Sequence, residues 1–327
     1  MMAVAVAFLA VFVVDYGGVA DKFRAIGFEP SREMRGLMKD IAVTSRADLI
    51  LWATHPTLKD QTDFNEACRS HNPEIAVMGC FTGERIFVYN VENEELAGIK
   101  QSTLAHELLH AAWERLSEPE RQDLMAQLLA IYERQGGDLV ARMERYPRES
   151  FYDELHSIVG TEISVAELDA TCVNFEVCKN GGLRVHYARY FENPERVIGF
   201  FEAYNERFLE LKAAADRLYA KITSQREEIE AKTTNYEDGM AGLNAEIDDF
   251  NRRVAGEYFA NREAAELERS GLLVRQDALG RMYDDLAALV ADTNRLIEEY
   301  NRNVARTQFL VDSINSNAQR SGAEVKN

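Results

Sequence analysis

The chain has 327 residues, of which 46% are hydrophobic and 28% are charged, so it is long enough to bury a substantial core and is expected to hold two domains. Its formal net charge is −18 and its isoelectric point is near 4.9. Such a chain has no basic field with which to neutralise phosphates, which excludes nucleic acid as an expected partner.

The chain opens on an uninterrupted apolar run, MMAVAVAFLAVFVV, over residues 1–14. This run is shorter than the about 20 residues of a bilayer span and suits the hydrophobic region of a signal peptide. No Lys or Arg precedes it and no clear cleavage site follows it. Either the true start lies upstream, or the run is an uncleaved anchor that continues to residue 20. A buried helix or strand is the alternative. We predict that residues 1–20 form a signal or anchor segment and that the protein is extracytoplasmic, either membrane-anchored or secreted.

The chain has four cysteines, at positions 68, 80, 172 and 178. Their even number and their two short spacings predict two disulfides, Cys68–Cys80 and Cys172–Cys178, which would form in an oxidising compartment. Reduced cysteines in the core are the alternative. The predicted disulfides and the predicted export segment support each other, because each of them favours a location outside the cytoplasm.

Short helices and then a β-hairpin are predicted in the first third of the chain. The predicted helices cover residues 31–41, 45–54 and 62–71. The first two open on a serine suited to cap a helix, and Pro56 ends the second. Residues 75–81 and 85–91 are strand-like runs joined by Thr82-Gly83-Glu84, which is a hairpin signal. The predicted fold class is therefore α+β and mostly helical, with a small antiparallel hairpin or sheet.

The segment TLAHELLHAA, residues 103–112, contains the pattern H-E-x-x-H. On a helix, His106 and His110 lie on one face, one turn apart, which is the separation at which two imidazoles can bind one zinc ion. Glu107 lies about 100° further round the helix, where it can act as general base on a water without binding the metal. The other residues between Leu104 and Ala112 are uncharged. We therefore predict a buried helix with a polar stripe that faces one cavity. A helix with two surface histidines is the alternative.

This segment resembles the active-site helix of the zincin metallopeptidases, and the resemblance covers only the helix and its flanks. It implies a zincin-like zinc peptidase in which His106 and His110 bind the metal and Glu107 is the base. Trp113 and Leu116 stand where metzincins carry a glycine and a third histidine, so that branch is excluded. The remaining possibility is a glutamate ligand from a later helix, as in thermolysin-like gluzincins.

The third ligand is expected within residues 148–169, which have the pattern of an amphipathic helix. Glu154 and Glu162 fall within or beside its apolar side, whereas Glu149 and Asp153 are predicted to point the opposite way. A carboxylate on a buried side needs a metal or another partner to compensate its charge. Glu154 is therefore the predicted ligand, and Glu162 is the second choice, either as ligand or as hydrogen-bond acceptor. A solvated or salt-bridged glutamate is the alternative for both.

The run DELHS, residues 153–157, also resembles the Asn-Glu-x-x-Ser stretch around the gluzincin ligand, with Asp153 in place of Asn. Ile158 stands where that family carries a further acid, so the hydrogen-bond partner of the zinc-binding histidine is not identified. Candidates for binding the oxyanion of the tetrahedral intermediate follow at His186, Tyr187 and Tyr190. Ordinary packing of these aromatic residues is the interpretation that we favour.

From residue 197 the sequence has coiled-coil periodicity. Apolar residues recur at alternating spacings of four and three from 197 to 254, and again from 279 to 314, among abundant charged residues. The residues between, 256–276, are predicted to form the turn of an antiparallel coiled-coil hairpin, with dimerisation through one seam as the rival arrangement. We therefore place a catalytic domain at 21–192 and a helical hairpin at 193–327.

These features predict an exported zinc metallopeptidase with Zn²⁺ as cofactor and a peptide or protein as substrate. The alternative from another class is a coiled-coil interaction or scaffold protein of the cell surface, whose zincin-like domain is structural or inactive. A zinc hydrolase that acts on another amide, such as a cell-wall peptide link, is a third possibility. Residues 1–20 offer a membrane tether, and the helical hairpin offers a surface for a protein partner or for self-association.

Overall fold

The computed structural model describes residues 16–68, 78–170 and 181–315. Helices dominate these residues, and a small mixed sheet of three strands accompanies them. Most of the predicted signal or anchor segment and the predicted Cys172–Cys178 disulfide lie outside the described residues. No helix within the three described ranges is both long enough and apolar enough to cross a membrane.

The chain divides into two compact units. The first contains the described residues up to Phe208 together with 309–315, and the second is Leu209–Gln308. The predicted domain boundary between residues 192 and 193 stays a prediction.

The first unit begins with short helices whose caps are visible in the sequence. Its first elements are α1 (Tyr16–Ala25), α2 (Arg32–Asp40), α3 (Ser45–Thr54), β1 (Thr57–Lys59) and α4 (Gln61–Ala67). The hydroxyl of Ser31 accepts a hydrogen bond from the backbone N–H of Met34, which confirms the predicted cap of α2. Helix α3 is capped by Thr44 and not by Ser45, because the Thr44 hydroxyl accepts from the N–H of Ala47.

The sheet has the strand order β1-β3-β2, where β2 is Gly79–Phe81 and β3 is Ile86–Tyr89. Strands β2 and β3 pair antiparallel, which confirms the predicted hairpin with shorter strands. Strand β1 pairs parallel with β3 and was not predicted, because three residues are too few to show an alternating pattern. Strand β2 therefore lies at one edge of the described sheet, and a confirmed Cys68–Cys80 disulfide joins it to the end of α4.

Helices of the first unit then enclose its core. They are α5 (Ile99–Glu114), α6 (Glu118–Gln135), α7 (Gly137–Met143), α8 (Phe151–Glu162), α9 (Val165–Ala170) and α10 (Gly182–Tyr187), with short 3₁₀ turns at Glu94–Leu96 and Arg148–Ser150. Helices α5 and α8 pack closely because Gly160 has no side chain. A Cβ at Gly160 would lie 2.5 Å from Cδ1 of Leu109 and 2.4 Å from the ring of Tyr187. This close approach brings the polar faces of α5 and α8 together.

Two long helices complete the described chain, α11 (Pro194–Ala255) and α12 (Arg262–Ile314). Within the second unit they run antiparallel, since the ring of Tyr219 near its start packs against the ring of Tyr300, and Arg253 near the turn pairs with Glu268. The predicted helical hairpin is therefore present. Its turn, residues 256–261, is shorter than predicted, because Asn261 caps α12 well before the apolar repeat begins.

Candidate metal centre

Helix α5 presents its polar stripe to a single cavity, as its sequence predicts. The cavity has a volume of about 620 Å³. The α5 residues that line it are Ser102, Thr103, His106, Glu107, His110 and Glu114. The apolar residues of α5, by contrast, are buried in the core. Strand β2, the end of α7 and the start of α8 form other parts of the wall. The side chains of His106 and His110 are 20% and 12% exposed, so they are not ordinary surface histidines.

Two histidines and one glutamate bring their ligand atoms to a common point. The Nε2 atoms of His106 and His110 are 3.2 Å apart, and Oε2 of Glu154 lies 3.8 Å from the first and 3.7 Å from the second. A tetrahedral zinc ion with bonds of about 2.0–2.1 Å needs donor atoms about 3.3–3.4 Å apart. The observed separations lie close to this value, so the three residues could hold a metal ion.

Asp153 orients one of these histidines. The Nδ1–H of His110 donates a hydrogen bond of 2.9 Å to Oδ1 of Asp153, which leaves Nε2 to face Glu154. A carboxylate in this position fixes the ring and its tautomer, as in many metal sites. Asp153 is therefore a hydrogen-bond partner for one of the two histidines. This partner could not be identified from the sequence, because Ile158 stands where gluzincins carry an acid.

The prediction that Asp153 points away from the site is wrong. Helix α8 begins only at Phe151, so Asp153 and Glu154 both lie in its first turn. Side chains on a helix tilt towards its N-terminus, which lets two consecutive residues reach past the helix end into the same cavity. A helical wheel shows only the angle around the axis and therefore misses this geometry.

The charges at the centre favour a bound cation. Burial lowers the pKa of His110, but the hydrogen bond and charge of Asp153, together with Glu107 and Glu154, outweigh this effect and raise it to about 9. Burial also raises the pKa of Glu107, although the two histidines act in the opposite direction. Three carboxylates thus surround two imidazoles, and a divalent cation would satisfy this excess of negative charge.

Glu107 lies beneath the edge strand β2 and is only 5% exposed. A Cβ at Gly79 would lie 2.6 Å from Oε1 of Glu107 and 2.6 Å from Cγ2 of Thr103. Only a residue without a side chain therefore lets β2 lie this close to α5. We did not predict this role for Gly79, although a glycine inside a strand-like run is a recognised sign of close backbone approach.

Glu162, the second choice for the third ligand, has another partner. Its Oε2 accepts a hydrogen bond of 2.8 Å from Nη1 of Arg142, further along the cavity wall. The structure thus brings Glu154 to the two histidines and places Glu162 in a salt bridge, which is the alternative that the sequence left open. Glu149 is exposed and does not line the cavity.

The three residues considered for oxyanion binding lie in the core and do not line the cavity. Nε2 of His186 is 2.8 Å from Nε2 of His156, and the Tyr187 hydroxyl donates to the carbonyl oxygen of His156 at 2.8 Å. Tyr190 packs on His186. The interpretation as packing residues therefore fits these positions.

Tyr146 lines the cavity instead, and sequence reasoning missed it. Burial and the nearby charge of Glu154 raise the pKa of its hydroxyl to about 12, so this group stays protonated and can donate a hydrogen bond. Tyr146 follows the end of α7, where no local pattern distinguishes it from an ordinary surface tyrosine.

The buried histidine pair predicts a loss of stability in mild acid. Burial and the charge of Arg189 lower the pKa of His186 to about 3, and burial lowers the pKa of His156 well below its ordinary value. Below about pH 6.5 the unfolded chain therefore binds protons that the folded chain excludes, and each histidine costs about 1.4 kcal/mol per pH unit. We expect the free energy of unfolding, measured with urea, to fall from pH 6.5 to 5.

The matched variant is His186→Gln, whose amide does not titrate and can still bond to His156. It should lose stability less steeply than the wild type over the same pH range, in which free carboxylates stay ionised. Equal slopes for the two proteins would show that His186 is not held neutral in the fold.

The fold and the cavity define a class of protein: a mostly helical α+β chain with a candidate metal centre of two histidines and a glutamate. No protein-family model matches the chain, and neither a curated protein nor a solved structure matches it significantly. We therefore infer the function from the geometry and chemistry of the centre.

Proposed function

We propose that the protein is a zinc-dependent peptidase of the gluzincin type, with His106, His110 and Glu154 as the metal ligands. The observation that carries the proposal is the convergence of their three donor atoms at separations of 3.2–3.8 Å. Two imidazole nitrogens and one carboxylate oxygen are a donor set that zinc accepts. Three protein ligands also leave one tetrahedral position open, as a catalytic zinc ion requires.

The residues around the centre have distinct roles in this proposal. Zinc, when bound, supplies a Lewis acid that polarises the scissile carbonyl and makes a nearby water more acidic. Glu107 accepts the proton of the attacking water and transfers it to the leaving amine. Asp153 keeps the ring of His110 in place, and the Tyr146 hydroxyl donates a hydrogen bond to the carbonyl oxygen as negative charge develops on it.

The edge strand β2 supports a peptide as the substrate. Its residues Gly79 and Phe81 line the same cavity as Glu107, and β3 covers only one side of the strand. An extended peptide can add to such an edge through main-chain hydrogen bonds, which hold the scissile bond along the cleft. A small amide would not need this surface, so β2 favours peptide hydrolysis over the other amide chemistry considered above.

An oxidising compartment is part of the same proposal. The Cys68–Cys80 disulfide joins the residue after α4 to the centre of β2. Disulfides persist in secreted, periplasmic and cell-surface proteins and are rare in a reducing cytosol. Export through residues 1–20, with or without a membrane tether, remains our prediction from the sequence.

Removal and return of the metal test the proposal. Dialysis against a chelator should abolish hydrolysis of a casein or mixed-peptide substrate, and one equivalent of zinc should restore it, because Glu107 alone is too weak a base for this reaction. Hydrolysis that persists in metal-free protein would contradict the proposal. A protein that binds zinc but cleaves nothing in a diverse peptide library would instead favour the scaffold alternative.

Substituting Gly79 with alanine tests how Glu107 is positioned. The added Cβ has no room beside Oε1 of Glu107, and pairing with Val88 prevents β2 from moving away freely. Displacement of a catalytic group by about 1 Å reduces rates on the order of 100-fold. We therefore expect kcat to fall by about this factor in the G79A variant while the zinc content stays unchanged.

The matched control is Gly36→Ala, within helix α2. Apart from its own helix backbone and chain neighbours, a Cβ at Gly36 would meet no atom of the described residues within 4 Å, and alanine is favoured over glycine inside a helix. This variant should keep full activity. If the G79A variant were equally active, the contact between β2 and Glu107 would have no catalytic importance.

A further inference from the structure

One part of the cavity wall is cationic. Arg142 lies in the last turn of α7, Arg145 follows two residues after that helix ends, and both line the cavity. The N–H of Arg145 bonds to the carbonyl oxygen of Arg142, so the two arginines belong to one continuous turn. The chain has a net charge of −18, so a cavity wall with two arginines differs from the acidic character of the chain as a whole.

Arg142 is held in place but retains donors for a ligand. Its Nη1 donates to Glu162, while its buried Nε has no hydrogen-bond partner among the described residues. The side chain is 36% exposed and lines the cavity, where Tyr146 and Tyr204 also lie. A guanidinium has five N–H donors, so one bond to Glu162 leaves several unused.

Arg145 adds a second positive charge. Its side chain is exposed, and it forms no ion pair with any residue in the described part of the chain. Glu162 balances only one of the two arginines, so this wall keeps one net positive charge. Asp153 and Glu154 also line the cavity, but they lie at the metal centre, where a bound metal would offset their charge.

We propose that the wall formed by Arg142 and Arg145 binds a carboxylate of the substrate, and that the enzyme therefore prefers peptides with an acidic group near the cleaved bond. The proposal rests on the peptidase function above and narrows its substrate class. The carboxylate is either an Asp or Glu side chain or the free C-terminus of the peptide. Guanidinium groups match carboxylates through paired hydrogen bonds, and Glu162 already restricts the movement of Arg142.

The test compares peptides that differ only in one carboxylate. Fluorogenic alanine-based hexapeptides carry a single Glu or a single Gln at each position in turn, and each is made as a free acid and as a C-terminal amide. We expect kcat/KM of the wild type to favour the better-placed carboxylate by about 10- to 100-fold, the range for a hydrogen bond to a charged group. A preference for Glu over Gln identifies the side chain as the ligand, and a preference for acid over amide identifies the C-terminus.

Variants of the wall should remove this preference. Arg145→Gln, at an exposed site, should reduce it several-fold, and Arg142→Gln combined with Glu162→Gln should remove it without leaving a buried charge unpaired. Arg148→Gln is the matched control, because Arg148 is close in sequence and exposed but does not line the cavity. It should keep the wild-type preference.

Binding measured without turnover separates this proposal from the proposed function. Fluorescence anisotropy measures binding of the same peptides to a Glu107→Gln protein, which should show the same carboxylate preference. When Arg142→Gln and Glu162→Gln are added to that protein, the preference should disappear. If the wild type cleaved the peptides but showed no preference for a carboxylate, either in kcat/KM or in binding, the proposed subsite would be overturned and the proposed peptidase function would stand. Selective binding without cleavage by the wild type would support the subsite and overturn the peptidase.

Discussion

Replacement of Glu107 by glutamine is expected to abolish peptide hydrolysis and to leave the metal in place. The amide keeps the size of the side chain beneath β2 but cannot accept a proton from water. General acid–base catalysis contributes about 10²–10⁴-fold in rate, and Glu107 is the buried acid that lines the cavity together with the two histidines. We therefore expect kcat of the E107Q variant to fall by at least about 1,000-fold.

The control for this variant is Glu114→Gln, one turn beyond His110 on the same helix. Glu114 also lines the cavity, but it is exposed and does not belong to the cluster of His106, His110 and Glu154. The E114Q variant should retain most of the wild-type activity. Zinc content should be the same in both variants and in the wild type. Full hydrolysis by the zinc-loaded E107Q protein would show that another group acts as the base.

Replacement of Glu154 by glutamine should remove the metal, whereas the same change at Glu162 should not. Glu154 supplies the only carboxylate oxygen in the described cluster with His106 and His110. Loss of a residue that merely orients a ligand costs about 10- to 100-fold in metal affinity, so loss of a ligand should cost more than about 100-fold. Competition with a fluorescent zinc chelator measures both affinities.

Glu162→Gln is the matched control because it changes an acid on the same helix and in the same cavity. Its salt bridge with Arg142 does not involve the histidines, so zinc affinity should stay within a few-fold of the wild type. The opposite result, with zinc lost from the E162Q variant and kept by the E154Q variant, would mean that the ligands are assigned wrongly.

The sequence was most informative where chemistry depends on spacing along one helix. Within α5, the separation of His106 and His110 and the uncharged residues around them predicted a buried helix with a polar stripe, and the structure has this arrangement. The strand pair β2–β3 and the Cys68–Cys80 disulfide were predicted for a similar reason, because each depends on residues close in the chain. Glu154 was also selected, since burial of an acid needs a partner.

The rest depends on contacts between elements that no local pattern contains. Asp153 reaches His110 only because α8 starts at Phe151 and its first turn opens onto α5. Gly79 matters because β2 crosses α5 at Glu107, and the role of Arg142 depends on where α7 ends. These relations are set by tertiary packing, which a single sequence does not specify residue by residue.

X-ray absorption spectroscopy at the zinc edge of the reconstituted protein tests the central claim most directly. We predict one zinc ion per chain with nitrogen and oxygen donors at about 2.0–2.1 Å, scattering from two imidazole rings, and no sulfur ligand. The scattering of one ring should disappear in the His106→Ala variant. A zinc ion bound through cysteine sulfur, or a spectrum unchanged by the loss of His106, would contradict the claim that α5 and α8 hold the metal between them.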